Sequence, residues 1–189
     1  MSDPLLLVIA APSGGGKSTV LRRIFAEVPN LLFSISHTTR APRKGEQHGR
    51  EYFFVDAAAF RELIAEDAFL EWAEVHSNLY GTSKAELERA RANGKDLVLD
   101  IDVQGAAQIM KAHPETVSIF LRPPSEEVLR QRLLGRGSES EESVEVRLRN
   151  ATGEIQRAGE FRHVVVNDDL EATIAAVRRI IEEERALRR

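Results

Sequence analysis

Eight residues near the start of the chain, Ala11-Pro12-Ser13-Gly14-Gly15-Gly16-Lys17-Ser18, have the types and spacing of a phosphate cradle. Gly14, Gly15 and Gly16 open backbone conformations closed to other residues. Successive N–H groups can then turn inward onto phosphate oxygens. Lys17 suits a bridge between the β- and γ-phosphates, and the Ser18 hydroxyl suits Mg²⁺. With Thr19 the run from Ala11 to Ser18 makes up the expected ATP-binding segment. Ala11 occupies a position that the general pattern gives to glycine. Gly14 and Gly16 remain, so the loop is still expected to form. The chemistry is capture of a triphosphate with its metal, which leaves the acceptor open.

A second group lies between Ser36 and Arg50, where Arg40, Arg43, Lys44 and Arg50 stand against one acid, Glu46. Guanidinium groups fork onto phosphate oxygens in pairs, so this loop is a candidate anion site. Pro42 stiffens it, and Tyr52 and Tyr80 offer hydroxyl donors. A third group is Leu97-Val-Leu-Asp-Ile-Asp102, an apolar strand ending in two acids. Residues two apart on a strand face one way. Asp100 and Asp102 are thus expected to point together into the crevice beyond the strand's end. Asp100 has the place of an acid that orients Mg²⁺ through water.

The surrounding elements fit that placement. Leu5–Ala10 is a continuous apolar run, as in a strand buried on both faces. A helix follows over about Lys17–Val28, ending near Pro29. Further strands are expected at Leu31–Ser36, Leu97–Ile101, Val117–Leu121 and His163–Val166. Helices are expected near Ala106–Ala112, Ser125–Leu134, Glu142–Glu160 and from Leu170 to the end, the last capped by Asp168 with Glu171. Strands alternating with helices indicate an α/β fold with a five-stranded parallel sheet covered by helices. Ser36–Gly94 departs from that rhythm. It carries strands at Tyr52–Val55 and Phe69–Val75, helix caps at Asp56 and Ser83, and a stop at Asn93-Gly94, as in an inserted α+β lobe. Gly135–Glu142 is polar throughout and reads as a flap leading into the long helix. In that helix Val144, Leu148, Ala151 and Ile155 form the buried stripe.

Bulk composition narrows the classes. The chain has 189 residues and a formal charge of −4, so no global positive field draws nucleic acid. It has no cysteine, which removes disulfides and thiolate chemistry. Its five histidines show no metal-ligand spacing. The apolar run near the start is too short to span a bilayer. A soluble cytoplasmic protein without nucleic-acid or membrane partners is the expectation, with oligomeric state left open.

Taken together, SISHTTRAPRKGE with GREYFFV, FLEWAEVHSNLYGTS, DIDVQG, GRGSESEES and VVVNDDL resemble the bacterial guanylate kinases, in order and spacing and over nearly the whole chain. Ala-Pro-Ser-Gly-x-Gly-Lys-Ser is a familiar form there, so Ala11 is consistent with the likeness. The resemblance implies a P-loop NTPase fold whose core spans 1–35, 96–125 and 150–189. It implies a GMP-binding lobe over 36–95 and a short lid over 126–149. Arg40, Arg43, Tyr52 and Tyr80 would hold the phosphate of GMP. Ser36, Glu71, Thr82 and Asp102 would surround the guanine. Arg136 and Arg147 would be lid arginines acting with Lys17, Arg40 and Arg43 in catalysis, and Asn167 would lie on the adenine side. The implied reaction is Mg²⁺-assisted phosphoryl transfer from ATP to GMP, with dGMP as a further acceptor. Glu71 makes chemical sense in that role. Guanine presents N1–H and N2–H₂ side by side to a carboxylate, whereas adenine presents an acceptor, and such a mismatch discriminates by ~10⁴ or more. Two other readings share parts of this pattern. A peptide-binding scaffold domain of the same fold tends to lose the loop lysine, which is present here. A kinase of phosphorylated sugars would need neither Glu71 nor the paired tyrosines.

Overall fold

The computed structural model describes residues 4–75, 77–135 and 141–188, the side chains of 141–143 excepted. Arg136 and most of the polar flap lie outside the described residues. Strand β1 (Leu6–Ala10) leads through the Gly-rich turn into α1 (Lys17–Glu27), and β2 (Leu31–Phe33) follows. The chain then forms β3 (His37–Thr38), β4 (Phe53–Phe54), α2 (Ala57–Ala65), β5 (Phe69–Val75), β6 (Asn78–Ser83) and α3 (Lys84–Ala92). It returns with β7 (Asp96–Asp100), α4 (Val103–Ala112), β8 (Val117–Arg122) and α5 (Glu126–Leu134). Helix α6 (Glu141–Gln156) runs into a tight turn at Arg157–Glu160, and β9 (His163–Val166) and α7 (Leu170–Leu187) complete the chain.

The central sheet has the order β2-β7-β1-β8-β9 with every pairing parallel. Its middle strand shows why a continuous apolar run was required. Leu5, Leu7 and Ile9 pack with Val20, Ile24, Val177 and Ile181 on one face. Leu6, Val8 and Ala10 pack with Leu99, Ala106, Ile109 and Phe120 on the other. Each Val, Leu, Ile or Phe side chain among them, fully withdrawn from water, contributes about 1.5–3 kcal/mol. The rigidity of this sheet carries upward to the loops at its C-terminal edge, where β1 hands the chain to the cradle. A smaller cluster of Leu129, Leu133, Val144, Leu148 and Ala151 ties α5 to α6, and the expected apolar stripe is its α6 half.

A second sheet, β4-β3-β6-β5, is built wholly from the stretch expected to form the inserted lobe. Asp56 and Ser83 cap α2 and α3 as expected, and Gly94 takes a left-handed conformation after α3. Sequence patterning left β3 and β6 unseen. The first has two residues, and Asn78-Leu-Tyr-Gly-Thr-Ser83 shows neither alternation nor β-branched enrichment. Four boundaries also need correction. Strand β2 ends at Phe33, because Ile35 already bonds Glu86 of α3. The cap of α7 is Asp169, whose carboxylate accepts the Ala172 N–H at 2.8 Å, rather than Asp168. Strand β7 stops at Asp100, and α4 starts at Val103 rather than Ala106. Asp102 is therefore no strand residue. It caps α4, accepting the N–H groups of Gln104 and Gly105 at 3.1 and 2.9 Å.

Candidate active site

The donor cradle forms where β1 leaves the sheet. Gly14 and Gly16 sit at φ 83° and 87°, which other residues rarely adopt, and Gly16 caps α1. Lys17 extends from the first turn of α1 to β7. Its ammonium group lies 2.6 Å from Asp100 and donates to the Ile101 carbonyl at 2.9 Å. Ser18 and Thr19 are exposed at the head of the helix. Ser18 and Asp100 offer oxygens only, a donor set that fits Mg²⁺ carried in by a triphosphate. Among the described residues no cluster of three or more acids or histidines could cage a metal by itself.

The loop is braced from two sides. Behind it, Asn167 is buried, donating to the Gly15 carbonyl at 2.7 Å and accepting from the Thr173 hydroxyl at 3.2 Å. Each end of that amide bonds a protein partner, so Asn167 braces the loop. Arg132 adds a bond to the Asn167 carbonyl at 3.0 Å. In front, two residues of α6 converge on Ser13. Arg147 donates to its hydroxyl through Nη2 at 2.7 Å and Nε at 3.1 Å. Glu154, two turns further along, accepts the Ser13 N–H at 3.2 Å. Arg149 is exposed, as expected of a surface residue.

The acceptor pocket lies between the two sheets, lined by Lys17, Ser36, Tyr52, Glu71, Tyr80 and Asp102 among others. Period-two alternation in β5 turns Phe69, Glu71 and Ala73 inward. Glu71 is 4% exposed, and its Oε1 accepts the Thr82 N–H at 2.9 Å. Thr82 is buried beneath it, with its hydroxyl 3.1 Å from that of Ser36. Burial pushes the Glu71 carboxyl up to about 7, against the pull of Thr82 and with a further push from Asp102. Tyr52 is also held above its usual range, first by burial and then by the charge of Asp100, so its phenol stays a donor. Asp100 and Asp102 do reach one crevice, though by a strand end and a helix cap.

The basic loop is not the bare positive patch that its composition suggests. Arg40 makes a paired contact with Glu46, at 3.0 and 2.9 Å, over the Tyr52 ring. That hydrogen bonding raises the Arg40 pKa and lowers that of Glu46. Arg50 bonds Glu51 and the Gly45 carbonyl. The side chain of Arg43 is exposed, and its backbone N–H donates to Glu46.

Donor and acceptor cavities meet. Lys17, Val75 and Asp102 line both of them, so an anion in one faces an anion in the other across a single lysine. The contribution of Glu154 was not foreseen from sequence. Glu154 had a legible signal, since it follows Arg147 by seven residues on one helix face.

Comparison with known proteins gives the family of the chain. The family model described as "Guanylate kinase" matches residues 4–184. The guanylate kinase of Dechloromonas aromatica (strain RCB) is 46% identical over 176 residues, 93% of this chain and 87% of that one. That of Nitrosomonas europaea is 48% identical over 180 residues, 95% and 90% of the two chains. A crystal structure of guanylate kinase from Anaplasma phagocytophilum superposes with a TM-score of 0.79 at 36% identity, covering 97% of this chain and 87% of that one. Among the described residues no helix is long and apolar enough to cross a membrane.

Proposed function

The chain belongs to the guanylate kinase family, whose members are ATP:GMP phosphotransferases, and from that premise we propose how its residues divide the work. The observation that carries the proposal is the buried Glu71 carboxylate facing the crevice next to Lys17. GMP enters between the sheets. Glu71 accepts from N1–H and N2–H₂ of guanine, with Ser36, Thr82 and Asp102 around the ring. Tyr52, Tyr80, Arg40 and Arg43 hold its phosphate, which requires Arg40 to exchange Glu46 for phosphate oxygens. ATP lies in the cradle from Ala11 to Thr19, and Lys17 shifts from Asp100 toward its phosphates. Asn167 acts on ATP indirectly, by fixing Gly15. Ser18 and, through water, Asp100 would hold Mg²⁺ arriving with ATP, which would neutralise charge on the phosphates.

The attacking atom is an oxygen of the GMP phosphate. A phosphate monoester has its second pKa near 6, so at neutral pH this oxygen is already largely an anion and no general base is needed. Its bond to the γ-phosphorus forms as the bond from that phosphorus to the β–γ bridging oxygen breaks, and ADP departs. The side chains position and neutralise. Lys17 lies between the anions, and Arg147 moves from Ser13 to the transferring group. Closure of the lobe over residues 36–95 and of the lid over 126–149 keeps water out, which protects ATP from hydrolysis. A coupled assay of ADP release across GMP, AMP, UMP and ribose phosphates tests this reading. Turnover confined to guanine nucleotides supports it, and equal turnover of AMP contradicts the role given to Glu71.

A further inference from the structure

Helix α4 meets strand β5 through one face, and the contact is closer than a side chain allows at one point. A Cβ placed on Gly105 would lie 2.4 Å from Glu71 Oε2 and 3.1 Å from its carboxyl carbon. Helix and strand have little freedom to separate there. Gln108, three residues on, grips the Trp72 backbone from both sides, donating to its carbonyl at 2.7 Å and accepting its N–H at 3.2 Å. The start of α4 is held by Asp102, which accepts the N–H of Gly105 itself. On the other side of Glu71, the Thr82 N–H fixes the second carboxyl oxygen. The carboxylate thus occupies a slot with Thr82 as one wall and the bare backbone of Gly105 as the other.

We propose that Gly105 is a specificity-determining position for this enzyme: the missing side chain sets where the Glu71 carboxylate stands, and with it the preference for a purine carrying a 2-amino group. The inference rests on Glu71 reading the guanine. With both secondary elements pinned, an added methyl group displaces the end of the longer side chain. Glu71 then moves by roughly an ångström, a misplacement that can cost about 10²-fold at a reacting or reading group. Gly105 is not among the glycines with positive φ, so alanine is compatible with the backbone there. It also favours a helix over glycine. Damage from the substitution should therefore fall on GMP and spare the fold.

The experiment compares Gly105→Ala and Glu71→Gln with the parent enzyme, using GMP, IMP and ATP. IMP is guanylate without the 2-amino group. For Gly105→Ala the expected result is a KM for GMP raised about 10- to 100-fold, a KM for ATP within about twofold, and a GMP-to-IMP preference reduced toward one. Its melting temperature should equal or exceed that of the parent. An unchanged KM for GMP overturns the role of Gly105, and so does a much lower melting temperature, which would mean that the backbone yields instead of Glu71. Glu71→Gln separates the two ideas. If it weakens GMP while Gly105→Ala does not, the reading of guanine by Glu71 stands and only the slot is refuted. If Glu71→Gln also leaves GMP unchanged, the underlying reading fails.

Discussion

At the donor end the proposed phosphate contacts are backbone N–H groups of a glycine turn, whereas at the acceptor end they are side chains of a second sheet and its loop. The cradle takes its shape from Gly14 and Gly16 and is braced by Asn167 behind and Ser13's partners in front. Backbone groups aimed by a rigid sheet need no titration, and they recognise any triphosphate. The acceptor pocket keeps Arg40 on Glu46 and Glu71 on Thr82, much as the cradle keeps Lys17 on Asp100. Side chains on a second sheet can discriminate, because each presents a particular pattern of donors or acceptors. The difference suggests that phosphate affinity is preorganised in the fold, while base selectivity depends on one buried carboxylate held at a cost in stability.

The strongest way to break this contrast is at the shared lysine. Lys17→Ala is expected to lower kcat by about 10³-fold or more while GMP binding, followed by calorimetry, stays within about twofold. A large loss of GMP affinity would mean that the two ends are not separable. Next in size is the effect of pH on Glu71. Its folded value, about 7, lies above the ordinary 4.5. The protonated form thus contributes stability that is complete below about 4.5 and lost as pH rises through 7. Glu71→Gln, which is neutral throughout, should stabilise the chain at pH 8 by up to about 3 kcal/mol, with the gain vanishing toward pH 4.5. Thermal melts of both proteins across that range provide the check, and a gain independent of pH would refute the assignment.

Arg40→Ala should raise the KM for GMP by about 10- to 100-fold and leave that for ATP nearly unchanged. Glu46→Gln sharpens the point, since it frees Arg40 and should not raise the KM for GMP. Smallest is Asn167→Ala. It strands the buried Gly15 carbonyl at a cost of about 1–3 kcal/mol, read as a lower melting temperature. It should raise the KM for ATP without touching that for GMP.

Much of this contrast was legible in the residues, and unevenly so. The loop of the cradle could be read because its parts are contiguous and its strand–turn–helix setting is local. The central sheet followed from apolar runs, and Glu71 from the family likeness and its chemistry. The second sheet could not be assembled, since β3 is too short to show a pattern and Asn78–Ser83 has no alternation. Asp102 was assigned to the right crevice by the wrong element, because two acids on an apolar run look alike whether the second ends the strand or caps a helix. The neutralisation of Arg40 was hidden for another reason. Composition counts four cations against one acid, but it cannot say that the one acid, Glu46, takes both a guanidinium and a backbone N–H.

The separation of a generic donor end from a selective acceptor end is tested most directly by titrating GMP and ATP into Glu71→Gln by calorimetry at pH 8, where the parent carboxyl is ionised. The predicted result is GMP weakened by at least ~10-fold with ATP within about twofold. Unchanged GMP affinity, or equal weakening of both nucleotides, would contradict it.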